Sequence, residues 1–180
     1  MYLGHAGVAL VLKSRAPRVP IVPLTLACYG PDWIDAALMI PTPREGMAPY
    51  SHSLPALAIG AVVAAGLYAA IARRPGAMVI FVAWLLHWPA DLLTGLKPIV
   101  GLRPSIGLDL YHVAYADAAL EVVVILVACV IYAQALAITR RQRAVVVGLA
   151  IALMALQCAF DVAFSRLDRQ PWRPSLAFAR

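Results

Sequence analysis

Two pairs of ionisable residues stand four apart in apolar parts of this chain: His87 and Asp91 in "FVAWLLHWPADLLTG", and Asp117 and Glu121 in "DAALE". That spacing puts both members of a pair on one face of a helix. Ionisable side chains at membrane depth are expensive and mark functional sites by default. Two carboxylates on one face also repel unless a cation or proton comes between them. Asp32 and Asp35 in "PDWID" are three apart and can converge in the same way, although their place after Gly30 and Pro31 equally suits the start of a helix. His52 opens an apolar run, where it fits either a site or a membrane interface. Imidazole and carboxylate pairs that face one another from neighbouring helices are how helical bundles hold metals. The donor set suits zinc or another first-row divalent ion, and without thiolates it is less specific for zinc.

Helices have to position these residues. Of the 180 residues, 63% are hydrophobic and 13% charged, with a mean hydropathy of +0.81. A soluble domain is nearer half apolar and a quarter charged, so the chain reads as an integral membrane protein. Leu54–Ala72, Ala77–Gly95, Tyr111–Ile138 and Ala144–Phe164 are each long and apolar enough to cross the hydrocarbon core. In lipid the backbone must bond internally, which selects helix. The expected fold is an all-α polytopic membrane bundle with about four spanning helices. The N-terminal third, broken by Pro20, Pro23, Gly30 and Pro31, predicts short or re-entrant helices. One domain covers residues 1–180, with broken helices in 1–50, the bundle in 51–165 and a basic tail in 166–180. No basic segment precedes the first apolar run, which argues against a cleavable signal peptide.

The basic turns Arg73–Gly76 and Thr139–Arg143 fall on one side of an alternating bundle, and the positive-inside tendency puts that side in the cytoplasm. His52 lies 21 residues before Arg73, and His87 and Asp91 lie 13 and 17 after Arg74. Asp117 and Glu121 lie 23 and 19 before Arg140. At about 1.5 Å per residue, all sit roughly 20–35 Å from the turns, a shared level toward the non-cytoplasmic side. The net charge of +6 is scattered over helix ends, where it suits phospholipid headgroups and membrane lipids, and argues against a nucleic-acid partner. Cys28, Cys129 and Cys158 stand alone in apolar surroundings and read as packing residues.

Taken in order, "GHAG", "YGPDWID", "YSHSLPALAIGA", "LLHWPADLLTG" and "DAALE" resemble the YdjM-type membrane-bound metal-dependent hydrolases of bacterial and archaeal inner membranes. The likeness covers residues 1–125. It extends to the zinc-dependent phospholipase C and single-strand nuclease group, whose helices carry His-x-x-x-Asp and His-x-x-x-Glu; Asp117 stands where that second histidine would be. The resemblance implies His5, Asp32, Asp35, His52, His87 and Asp91 as metal ligands, with Asp117 and Glu121 in addition. It also implies Asp32 or Asp35 as the catalytic base or bridge to the attacking water.

On this reading the chain is a hydrolase of the cytoplasmic membrane with a divalent metal cofactor, zinc by preference and two or three ions by analogy. It acts on a phosphoester in a lipid or amphiphilic substrate. An ion- or proton-coupled transport protein is the first alternative, using His87, Asp91, Asp117 and Glu121 as a polar path. A membrane protein with a closed structural metal is the second, and the openness of the site separates it from an enzyme.

Overall fold

Proline and glycine set the helix boundaries in the N-terminal third. The computed structural model describes residues 3–39, 50–73, 75–100, 105–110, 113–136 and 138–167. Helix α1 spans Gly4–Arg15. Pro20 then precedes α2, Ile21–Cys28, which holds Pro23 in its first turn, where no backbone N–H has a helical acceptor to lose. Gly30 and Pro31 open α3, Gly30–Met39. A single 3-10 turn, Tyr50–His52, leads through Ser53 into α4, Leu54–Ala72. Gly76 links α4 to α5 at φ 140°, a backbone that only glycine adopts without strain.

Helix α5, Ala77–Leu92, carries both His87 and Asp91, with Pro89 between them. It stops at Leu92, whose carbonyl accepts the Leu108 N–H at 2.9 Å, and a turn follows in which the Gly95 N–H bonds back to the Asp91 carbonyl. A two-residue antiparallel ladder joins β1, Lys97–Pro98, to β2, Ser105–Ile106. Helix α6 runs over Ala114–Ala135 and α7 over Arg140–Leu167. The start of α7 is a capping box: Thr139 Oγ1 accepts the Gln142 N–H, and Gln142 Oε1 accepts the Thr139 N–H.

Three helical stretches among the described residues are long and apolar enough to cross a membrane: Leu54–Ala72, Tyr115–Ala135 and Arg140–Ala159. The sequence predicts four. The difference is α5, which at 16 residues is too short for that criterion, because the turn at Thr94–Gly95 and the β ladder take over where the apolar run continues. The basic tail beyond residue 167 and the Tyr111 end of the third predicted segment lie outside the described residues.

Helix α5 is the hub and packs against α1, α2, α3 and α4; α1 in turn packs along α6, and α6 along α7. Ala9, Leu24, Ala27, Cys28, Tyr68, Ile80 and Ala83 form the core where α1, α2, α4 and α5 meet. On α4 and α7 the apolar side chains face outward, Ile59, Val62, Ile71, Val147 and Ile151 among them, the pattern of helices solvated by lipid.

Trp84 of α5 is clasped between Gly30 of α3 and Gly60 of α4, and an added Cβ at Gly60 would lie 2.6 Å from the indole. Replacing Gly60 with alanine therefore forces the ring to move, at a cost of about 1–3 kcal/mol. Gly66, on the same helix, has nothing within 4 Å of such a Cβ, so alanine there gains helix propensity instead. Thermal unfolding in detergent should show Gly60→Ala melting below the wild type and Gly66→Ala at or above it.

Candidate metal centre

Four side chains from three separate elements converge where α3, the 3-10 turn and α5 meet. Asp32, His52, His87 and Asp91 each offer one ligand atom, and these atoms all lie within 4.8 Å of one another. The group can hold a divalent metal ion. His52 Nε2 is 2.9 Å from His87 Nε2, 3.2 Å from Asp32 Oδ1 and 3.3 Å from Asp91 Oδ2. His87 Nε2 is 3.7 Å from Asp32 Oδ1 and 3.2 Å from Asp91 Oδ2. Ligands about 2.0–2.1 Å from a tetrahedral ion stand roughly 3.3 Å from each other, so His52, His87 and Asp91 can hold one small ion, with Asp32 Oδ1 beside its fourth position.

The outer nitrogens of both imidazoles are engaged in ways that leave Nε2 for the centre. His87 Nδ1 donates to the Cys28 carbonyl at 2.7 Å, which fixes the tautomer and points the Nε2 lone pair inward. His52 Nδ1 stands 3.1 Å from Asp35 Oδ2, and Ser51 Oγ hydrogen-bonds to Asp35 and lies 2.9 Å from the same ring nitrogen. A carboxylate behind a ligating histidine orients it and raises its basicity. Asp35 therefore supports His52 from behind, and Asp32 faces the centre. The side chains of His52, His87 and Asp91 are at most 3% exposed, whereas that of Asp32 is 42% exposed, so the site is walled on three sides and open on the fourth.

His5 reaches the same place from α1. Its ring stacks on His87 at 4.2 Å between centroids, and its Nε2 is 3.5 Å from Asp91 Oδ1. Neither ring nitrogen makes a hydrogen bond, although the side chain is wholly buried. A buried, unsatisfied imidazole is costly unless something else occupies its lone pair. Burial, reinforced by the nearby His87, pushes the His5 pKa down to about 4, so the ring is neutral and competent to bind a metal.

Asp117 and Glu121 are buried on α6 but stand outside the four-residue group. Glu121 Oε2 accepts the Leu3 N–H at 2.8 Å and the Gly4 N–H at 2.9 Å, so it caps the start of α1 from a distant helix. The site also includes groups outside the predicted ligand set. Lys97 places Nζ 2.6 Å from Asp91 Oδ2, and Ser51 and the Cys28 carbonyl hold the two histidines. The only sequence signal for Lys97 is its place at the end of the run that follows Asp91; a backbone carbonyl carries none.

Comparison with family models, curated proteins and solved structures finds no match to this chain. The site is therefore read from its own geometry.

Two outcomes follow from that geometry. Glu121→Ala removes the acceptor of the Gly4 N–H and leaves the Leu3 N–H only Gln157 Oε1 at 3.3 Å, at about 1–3 kcal/mol for the stranded group, and lowers the melting temperature by roughly 2–10 °C. Because Glu121 is outside the cluster, the metal content of the purified variant, measured by elemental analysis, stays at the wild-type level. The second outcome concerns protons. Burial disfavours a charged His52, but hydrogen bonds to Asp32, Asp35 and Asp91 outweigh it and push its pKa up to about 10. With the metal stripped, His52 therefore carries a proton at pH 7 that an ion at Nε2 must displace. Metal titration in a weak buffer should release about one proton from His52 at pH 7, and that release should vanish as the pH rises past about 10.

Proposed function

We propose that the protein is a membrane-embedded metal-dependent hydrolase. The observation that carries this reading is the asymmetry of the site: two imidazoles and one carboxylate are buried, and the fourth donor is open to solvent. A structural metal is closed on all sides, whereas a catalytic one keeps a position for water and substrate. Such an ion supplies Lewis acidity and brings the pKa of a water molecule toward neutrality. Asp32 lies on the open side with Oδ1 directed at the two Nε2 atoms, where it can take the proton of the attacking water. Asp35 holds His52 through Nδ1, and Asp91 faces both Nε2 atoms while it accepts from Lys97.

The resemblance to the YdjM-type hydrolases supports zinc as the metal and a phosphoester as the target. His5, with its unsatisfied ring beside Asp91 Oδ1, is the donor from which a second ion would be built. An apolar groove of about 630 Å³ supports an amphiphilic substrate. It runs between α2, α4 and α5, lined by Pro23, Leu26, Leu67, Tyr68 and Ile71, and ends at Trp84, one turn before His87. Its size is in the range of about 300–1,000 Å³ typical of small-molecule sites. Short basic turns on the cytoplasmic side leave the centre toward the outer face of the cytoplasmic membrane.

The test combines elemental analysis of purified protein with hydrolysis assays on phospholipids and lipid pyrophosphates. The wild type should contain a divalent metal, and the double variant His87→Ala with Asp91→Ala should contain none. Asp32→Asn should keep its metal and lose about 10²- to 10⁴-fold in turnover, the usual effect of removing a general base. A wild type free of divalent metal, or a double variant that retains it, would refute the reading.

A further inference from the structure

Lys97 is almost fully buried, which is rare for a lysine without a specific role, and it sits at the edge of the metal centre. Its ammonium is 2.6 Å from Asp91 Oδ2, the same oxygen that stands 3.2–3.3 Å from both Nε2 atoms. The segment that delivers it is fastened at several points. Lys97 and Pro98 pair with Ile106 and Ser105, the Pro98 carbonyl accepts Trp88 Nε1 at 3.3 Å, and the Ile99 carbonyl accepts the Leu54 N–H at 3.0 Å. The ammonium is therefore held between the end of α5 and the start of α4, next to the two histidine-bearing elements.

Charge balance shows what it does there. Asp32, Asp35 and Asp91 bring three negative charges, and a divalent ion offsets two. With neutral imidazoles the centre would be left at minus one, which repels a phosphate. Lys97 brings it to neutral, and only one of its three N–H donors is needed for Asp91. We infer that Lys97 is the anion receptor of this centre, donating to a non-bridging oxygen of a phosphate group while the ion holds another. It selects phosphate esters, which are anionic, over uncharged carboxylic esters and amides. The inference rests on the metal-hydrolase reading above and names the residue that recognises its substrate class.

A plain structural ion pair would behave differently. If Lys97 only steadied Asp91, its loss would weaken metal binding. If it receives the anion, its loss leaves metal binding equal or tighter, because a neighbouring positive charge has gone. The experiment uses zinc-loaded full-length protein in detergent and titrates it with three probes: inorganic phosphate, a short-chain phosphatidic acid and the matching diacylglycerol, which has no phosphate. Zinc content is measured alongside, for the wild type, Lys97→Met and Lys97→Arg.

Lys97→Met should keep its zinc and bind both phosphate-bearing probes about 10- to 100-fold more weakly, the effect of one charge-assisted hydrogen bond. Diacylglycerol binding should not change, and Lys97→Arg should recover most of the loss, which guards against a folding defect in the methionine variant. Phosphatidic acid binding more tightly than inorganic phosphate would identify a lipid headgroup as the source of the anion. Equal affinity would identify free or water-soluble phosphate, and the receptor role stands in both cases. The inference is overturned if Lys97→Met binds phosphate like the wild type, if it loses zinc, or if the zinc-loaded wild type binds no phosphate. Failure of the underlying reading has its own signature, a wild type that takes up no zinc at all.

Discussion

The fold is organised around the cost of placing imidazoles and carboxylates inside an apolar bundle. A charged or unsatisfied polar group away from water is expensive, so each such group needs partners with good geometry. The chain meets that demand by collecting them. His52, His87 and Asp91 face one another at 2.9–3.3 Å, Asp35 and the Cys28 carbonyl take the outer nitrogens, and Lys97 takes the remaining face of Asp91. Breaking any one contact strands another, which makes the cluster a constraint on the positions of α2, α3, α4 and α5 together. The clasp of Gly30 and Gly60 on Trp84, one turn before His87 on α5, fixes three of these helices, α3, α4 and α5, against one another from the apolar side.

Helix α1 is tied into this arrangement by a second buried contact. It is short, and its first N–H groups have no cap of their own. Glu121 reaches across from α6 to accept two of them, which fixes the start of α1 and with it His5, the next residue along. A carboxylate at a helix N-terminus also meets the positive end of the helix dipole, so the burial of Glu121 is offset twice. Glu121 thus serves the centre at one remove, by holding the helix that carries a donor.

What could be read from the sequence follows from what spacing encodes. The pairing of His87 with Asp91 was legible because a helix has a fixed period, and both side chains do face the same point. That His52 would join them was legible from distance along antiparallel helices. Spacing also puts Asp117 and Glu121 on one buried face, but it cannot tell a ligand from a cap, because the groups that donate to Glu121 are backbone N–H groups of a segment 117 residues away. Lys97 carries no such signal, because the β ladder that turns it inward is two residues long and has no periodic pattern. The end of α5 is not legible, because apolar residues continue past Leu92, while the helix stops where Leu108 takes the Leu92 carbonyl and a local turn takes the Asp91 carbonyl.

The position of the centre within the bundle has a consequence for what it can act on. Its ligands come from the end of α5, the start of α4 and the first turn of α3, so it lies at the ends of helices and not at their middle. Asp32 is exposed at the centre, and α4 turns apolar side chains outward beyond it. Trp84, which lines the apolar groove, and Asp91, which holds Lys97, are about two helical turns apart along α5. For the hydrolase proposed above, a molecule with a phosphate at one end and an apolar chain at the other would meet both groups at once.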